Sequence, residues 1–157
     1  KVLQYLIGQV WNGAFNPSSL TVQILVPNPN NRYEYPSVVR DNDHLRVLIE
    51  RYPCALIEEL KLLGTEKPIE VNAELRMIEF VPESKSYLLN NHYLLEGKYV
   101  PERVQKKGTN GQLEEKIDYC GWTTSLEGTY NPFHVDQQRR IFDNLWKSST
   151  EYPLKRD

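Results

Sequence analysis

This chain of 157 residues has few cysteines and a small net charge. The two cysteines, Cys54 and Cys120, are too few for the disulfide framework of a small secreted domain. We expect two reduced core thiols without a catalytic role, with a single bridge between them as the alternative. The 19 basic and 21 acidic residues nearly cancel, which argues against a general polyanion-binding protein but is compatible with a local basic patch.

Long apolar runs are missing as well. No stretch approaches the roughly 18 residues that cross a bilayer, so the sequence predicts no association with a membrane. The absence of a signal peptide, and of Asn-x-Ser/Thr sequons without an intervening proline, favours a cytoplasmic protein. The chain begins at Lys1, which leaves open the removal of a leader or of an upstream domain.

The sequence also lacks the signatures of common catalytic sites. The chain has no G-x-S-x-G nucleophile elbow, no G-x-x-x-x-G-K phosphate loop and no G-x-G-x-x-G. The histidines, His44, His92 and His134, lack the spacing of metal ligands, and the acidic residues before His44 are typical of a helix cap. We therefore expect no catalytic residue, no metal site and no cofactor.

Strict alternation of apolar and polar residues is the strongest structural signal that is present. It runs from Ile69 to Met77 and again from Leu20 to Val26, and only a strand with one wet face has this period. Sheets with one buried face and one solvent-exposed face are usually antiparallel, so we expect antiparallel pairing. The predicted buried residues are Ile69, Val71, Leu75, Leu20, Val22 and Ile24, and the predicted exposed residues are Glu70, Glu74 and Arg76.

Turn residues predict three hairpins. Residues 2–11 are apolar and favour a strand, and Asn12-Gly13 would turn that strand back toward residues 20–26. Asn90-Asn91 lies between two short apolar segments, and residues 108–111 separate two longer ones. Both patterns are typical of antiparallel strand pairs.

Helical periodicity appears in two places. An apolar stripe from Leu45 to Leu63 crosses Pro53, which predicts a kinked helical segment over about 43–63, with Gly64 as its C-terminal stop. A second stripe follows Asn131-Pro132, a helix cap followed by a first-turn proline, and predicts a C-terminal helix over about 132–147. The predicted fold is α+β, with an antiparallel sheet or a partly open barrel. Residues 1–150 would form one domain and residues 151–157 a polar C-terminal tail.

Basic residues are densest beside aromatic ones in the second half of the chain. Arginine and lysine next to aromatic rings suit contact with phosphate and stacking on bases. An ordinary solvated hairpin and helix surface is the favoured explanation of these residues, because Glu114, Glu115 and Asp118 can neutralise the hairpin. The candidate nucleic-acid-binding residues are Lys98, Arg103, Lys106, Lys107, Arg139 and Arg140.

Tyrosine is unusually frequent, with 10 residues, and two of them lie in a loop rich in proline and asparagine. Exposed tyrosines are typical binding anchors, so Tyr33 and Tyr35 are the candidate protein-binding residues. The first hypothesis is a non-catalytic interaction module or accessory subunit that binds protein partners in a larger assembly. The alternative is a nucleic-acid-contacting, RNA-binding subunit of a nucleoprotein complex. A small hydrolase or metal enzyme built around His44 and His134 is the third.

Overall fold

The computed structural model describes residues 2–31, 42–80, 84–98, 100–107, 111–120 and 126–154. At residues 2, 42–45, 98, 100–104, 106–107 and 114–120 only the backbone is described. The helices are α1 (Val2–Trp11), α2 (Asn42–Ile49), α3 (Ala55–Glu66) and α4 (Pro132–Ser148), with a π-helical turn at Glu50–Cys54. The strands are β1 (Ser19–Pro27), β2 (Glu70–Ile78), β3 (Ser84–Leu89), β4 (Tyr93–Lys98), β5 (Val100–Lys107), β6 (Leu113–Cys120), β7 (Glu127–Thr129) and β8 (Thr150–Glu151).

The α+β class is confirmed, but the strands form no barrel. They make three sheets in the described part of the chain, with the orders β1-β2-β8, β3-β4-β7 and β5-β6. Strands β1 and β2 pair in parallel over their whole lengths, so the prediction of antiparallel pairing was wrong for these two strands. The chain between them carries α2 and α3, and parallel neighbours need a long crossover of this kind.

The alternation predicted for β1 and β2 is present with the expected phase, but the burial is shallower. Leu75 is 2% exposed, whereas the other five residues predicted to be buried are only half-buried. Glu70 and Glu74 are exposed as predicted. Arg76 is half-buried instead, because its Nη1 donates to the Trp146 carbonyl at 2.8 Å and its guanidinium lies over the Trp146 ring.

The first element is a helix, so the predicted N-terminal strand and hairpin were wrong. Ile7 and Val10 are buried three residues apart, and α1 contacts α3. Asn12-Gly13 ends the helix instead of turning a hairpin: Gly13 has a φ of +71°, and its amide donates to the Val10 carbonyl at 3.1 Å. A short apolar run fits a strand and a buried helix equally well, which explains the error.

The kinked helical segment is confirmed, since the π turn containing Pro53 joins α2 to α3. The predicted stop at Gly64 was wrong, because α3 continues to Glu66. A Cβ atom at Gly64 would lie 3.1 Å from the Cβ atom of Val71 on β2. The glycine therefore allows close approach of helix and sheet, and it does not mark the helix end.

Replacing Gly64 by valine should overpack this contact and lower the free energy of unfolding by about 1–3 kcal/mol. Gly8→Val is the matched control, because no atom lies within 4 Å of a Cβ atom at that helical position. Urea denaturation of both variants measures the difference. Adding Val71→Ala to Gly64→Val should restore part of the loss, and equal stability of the two single variants would contradict the close-approach explanation.

The predicted hairpins at Asn90-Asn91 and at residues 108–111 are confirmed by the β3–β4 and β5–β6 pairs. Asn90 and Asn91 have φ angles of 51° and 53°, and the His92 amide donates to the Leu89 carbonyl at 3.0 Å. This is the type I′ geometry that matches the twist of paired strands.

The C-terminal helix is confirmed with its predicted cap, as Asn131 Oδ1 accepts a hydrogen bond from the Phe133 amide at 3.0 Å. The chain then returns to the first sheet, where β8 pairs with β2 and the Tyr152 amide donates to the Leu75 carbonyl at 3.0 Å. Residues 151–154, assigned to a polar tail, thus lie against the sheet, and residues 155–157 lie outside the described residues. The single domain over 1–150 stays a prediction.

The main core lies between the first sheet and the kinked helical segment. Its buried members are Val26, Ile49, Cys54, Ile57, Leu75, Met77 and Tyr152. No helix in the described ranges is long and apolar enough to cross a membrane.

Candidate interaction surface

The sheet β3-β4-β7 has two faces of different character. Helix α4 packs against β3 and β4, and on that side Leu94 and Val135 are buried. Gln138 of α4 donates to Glu96 Oε1 at 3.2 Å, which places Glu96 on the same side. Because side chains alternate along a strand, residues 87, 89, 93 and 95 point to the opposite face.

We call this opposite face the aromatic face. Its members are Tyr87, Leu89, Tyr93, Leu95 and Tyr130, the last of which follows β7 directly. The first four are half-buried, and Tyr130 is 66% exposed. Apolar and aromatic groups left accessible in a contiguous patch are typical of interaction sites.

Two ring contacts fix the orientation of Tyr130. Its ring lies 4.4 Å from the ring of Tyr93 at an interplanar angle of 32°, and 5.7 Å from the ring of His92. Gly128 makes room for this arrangement, since a Cβ atom there would overlap the Tyr93 hydroxyl. An aromatic ring lying over a strand glycine shields the backbone and stiffens the sheet. Tyr130 is thus both exposed and held in place.

The first turn of α4 carries two further exposed aromatic residues, Phe133 and His134. Phe133 is 73% exposed, and its ring lies 6.1 Å from the ring of His134. The cap at Asn131 and the fixed φ of Pro132 set the direction of this turn relative to Tyr130. Phe133 and His134 therefore lie on a rigid element that begins two residues after Tyr130.

The predicted basic residues fall on β4, β5 and α4. Lys98 ends β4, and Arg103, Lys106 and Lys107 lie on β5, where only the backbone is described. The strand register places Lys106 opposite Glu114.

On α4, one carboxylate binds both predicted arginines. Arg140 Nε lies 3.0 Å from Asp136 Oδ2, and Arg139 Nη2 contacts Asp136 Oδ1. The two positive charges therefore share one negative charge, which weakens this part of the predicted nucleic-acid surface. Surface ion pairs of this kind remain partly screened by water.

Tyr33 and Tyr35 lie outside the described residues, so their assignment as protein-binding residues stays a prediction. The aromatic face was not predicted from the sequence. The signal was present in the alternation of Tyr87 and Leu89 before the Asn90-Asn91 turn, and of Tyr93 and Leu95 after it.

A cavity of about 460 Å³ borders the main core, and the core residues Cys54, Met77 and Tyr152 are part of its lining. It is at the carboxyl ends of the parallel strands β1 and β2, between the kinked helical segment and residues 152–154. Its lining residues are Pro29, Asn30, Arg46, Glu50, Cys54, Glu58, Met77, Tyr152, Pro153 and Leu154. The described part of the chain has no group of three or more metal-ligating side chains that could hold an ion there or elsewhere.

Asparagines fix the loop that forms one edge of this cavity. Asn28 Nδ2 donates to Glu79 Oε1 at 3.2 Å, and Asn31 Nδ2 donates to Glu79 Oε2. Asn30 Oδ1 in turn accepts a hydrogen bond from Arg46 Nη2 at 3.0 Å. The loop after β1 is thereby tied both to the end of β2 and to α2.

Tyr152 is a titratable group whose pKa this environment shifts. Its burial raises the pKa of the phenol above the ordinary value of 10.0, and the nearby Cys54 and Glu50 act in the same direction. The hydroxyl is therefore neutral, and able to donate a hydrogen bond, throughout the physiological pH range.

This raised pKa predicts a loss of stability in alkaline solution. As the pH rises through 10.0, the unfolded chain releases the Tyr152 proton before the native protein does, so the free energy of unfolding falls. We expect the stability of the wild type relative to Tyr152→Phe to decrease between about pH 9 and 11, as measured by urea denaturation. A difference that is constant across this range would contradict the assignment.

The comparisons with known proteins found no protein that is similar to this chain. No family model matches the chain, and no similar protein was found among the curated proteins or the solved structures. Function is therefore inferred from the burial, contacts and charges of this chain alone.

Proposed function

We propose that this chain is a non-catalytic interaction module that binds a protein partner in a larger assembly through the aromatic face. The observation that carries the proposal is the Tyr93–Tyr130 stack. Tyr130 is 66% exposed although its ring is held against Tyr93 at 4.4 Å. A tyrosine that packs into no core, yet is fixed in one orientation, has the properties of a binding anchor.

Preorganisation supports this assignment energetically. Ordering a side chain at an interface costs roughly 0.5–1.5 kcal/mol when it is mobile in the unbound protein. The contacts of Tyr130 with Tyr93 and His92 remove part of that cost before a partner arrives. The half-buried Leu89 and Leu95 supply apolar area around the anchor. Such surroundings exclude water from the centre of an interface.

Charge favours a protein partner over a nucleic acid on this surface. Stacking platforms for single strands combine aromatic rings with a positively charged groove that follows the phosphates. Lys85 is the one basic residue that the register of the described strands β3, β4 and β7 places on the aromatic face, which is too little positive charge for such a groove. The β5–β6 hairpin, with Lys106 and Lys107, remains the surface for the alternative of a nucleic-acid-contacting subunit.

Affinity purification with three forms of the chain tests the proposal. Wild type, Tyr130→Ala and Tyr5→Ala are used as baits in extract of the cells that produce the protein, with and without nuclease. Tyr5 is the matched control because it is also 66% exposed but lies on α1. We expect a protein that is retained by wild type and by Tyr5→Ala, is lost with Tyr130→Ala and is insensitive to nuclease. Loss of all retained proteins after nuclease treatment would favour the nucleic-acid alternative.

A further inference from the structure

The cavity at the carboxyl ends of β1 and β2 has one wall with a regular chemical pattern. Arg46, Glu50, Cys54 and Glu58 recur every four residues along the kinked helical segment, so they form one stripe facing the cavity. The π turn contains two of them, Glu50 and Cys54. Single π turns within α-helices are frequent at functional sites, because they re-aim side chains that a regular helix would stagger.

The side chain of Tyr152 lines the cavity together with this stripe. Tyr152 is 7% exposed and lines the cavity, and its phenol interacts electrostatically with Cys54, Glu50 and Arg46. Within the described residues its hydroxyl makes no hydrogen bond. Buried polar groups are almost always hydrogen-bonded, so a ligand in the cavity that hydrogen-bonds this hydroxyl would satisfy it.

The charges around the cavity indicate which kind of ligand would bind there. Glu50 and Glu58 contribute two negative charges and Arg46 one positive charge, so the described lining residues carry a net charge of −1. Arg46 donates to Asn30 at the edge. Glu58 makes no ion pair within the described residues. Met77, Leu154 and two prolines supply an apolar surface beside these acceptors.

We propose that the cavity binds a small organic molecule that carries a protonated amine. Glu58 accepts hydrogen bonds from the ammonium group, and the apolar part of the ligand lies against Met77 and Leu154. The Tyr152 hydroxyl forms a hydrogen bond with the ligand. A volume of about 460 Å³ is within the range of small-molecule sites. The position outside the carboxyl ends of parallel strands is one where open α/β sheets bind ligands.

Three probes of similar shape and different charge test the proposal. Phenethylamine, 2-phenylethanol and 3-phenylpropionate are titrated into the full chain at neutral pH, and binding is followed by amide chemical shifts in NMR spectra. We expect saturable shifts that include Cys54 and Tyr152 with the amine, and binding at least about tenfold weaker with the neutral and anionic probes. No saturable shift up to about 10 mM amine, or equal binding of all three probes, would overturn the proposal.

Substitutions then identify the groups that bind the amine. Glu58→Gln should weaken phenethylamine binding by about tenfold, because a charge-assisted hydrogen bond is lost. Glu59→Gln is the matched control, since the neighbouring glutamate does not line the cavity. Tyr152→Phe should also weaken binding, with an unchanged fold in the amide spectrum of the unliganded variant. If Glu58→Gln and Glu59→Gln bind phenethylamine with equal affinity, the Glu58 carboxylate does not bind the amine, and the proposal is contradicted.

Discussion

Replacing Leu75 by alanine should lower the free energy of unfolding by about 2–5 kcal/mol. Leu75 is 2% exposed and belongs to the core cluster between β2 and the kinked helical segment. Truncation removes buried apolar area and leaves a cavity, because neighbours such as Ile57 and Met77 are held by the helix and the sheet and relax only in part. Urea denaturation with an unchanged m-value would measure the effect as a change in stability alone.

Leu62→Ala is the matched control for this experiment. Leu62 lies on α3 but is 52% exposed, so the same chemical change should cost much less. Alanine is favoured over leucine in a helix and disfavoured in a strand, but this difference is at most about 1 kcal/mol and is smaller than the loss expected from burial. Similar losses in the two variants would contradict the position of the core.

Replacing Tyr130 by alanine should weaken the binding of the protein partner by about 2 kcal/mol, which is about 30-fold in Kd. The ring is the most exposed member of the aromatic face and is already oriented by Tyr93 and His92. Calorimetric titration of the purified partner would measure the loss. The free energy of unfolding should change little, since Tyr130 contributes to no buried core.

A double-mutant cycle separates direct contact from preorganisation. If Tyr93 acts by orienting Tyr130, the losses for Tyr93→Ala and Tyr130→Ala should not add, because the second substitution removes a ring that has already lost its support. Tyr5→Ala should leave the affinity unchanged. Additive losses would mean that the two rings contact the partner independently. They would contradict the claim that Tyr93 orients Tyr130 before binding.

Local patterns in the sequence predicted much of the fold. The period of β2, the turn at Asn90-Asn91 and the cap at Asn131 are each decided within a few residues, and the structure has all three. Pro53 likewise predicted a break in the helical segment, since proline removes a backbone donor wherever it lies in a helix.

Features that depend on distant residues were the ones missed. The direction of β1 relative to β2 is set by the packing of α3 on the sheet, which the alternation of β1 does not encode. Gly64 was predicted to end the helix because glycine is common at helix C-termini. Its close approach to Val71 of β2 could not be read from the helical sequence. Residues 2–11 are short and apolar, so the choice between strand and helix was decided by contacts with α3.

The candidate surfaces were harder to predict for the same reason. Tyr93 and Tyr130 are 37 positions apart, and only the β4–β7 pairing brings their rings together. The cavity joins the loop after β1, one helical stripe and the end of the chain, and Tyr152 belongs to a segment predicted to be a tail. Arg139 and Arg140 were recognised as basic, but their shared carboxylate depends on side-chain geometry.

Site-specific cross-linking tests the central claim most directly. A photoreactive benzoylphenylalanine is placed at position 130 on the aromatic face, at position 105 on the exposed part of β5, or at position 5 on α1. Each form is irradiated in extract with and without nuclease. The interaction-module proposal predicts a discrete protein adduct from position 130 alone, unchanged by nuclease. Adducts that form only from position 105 and disappear with nuclease would contradict it and assign the function to the basic hairpin.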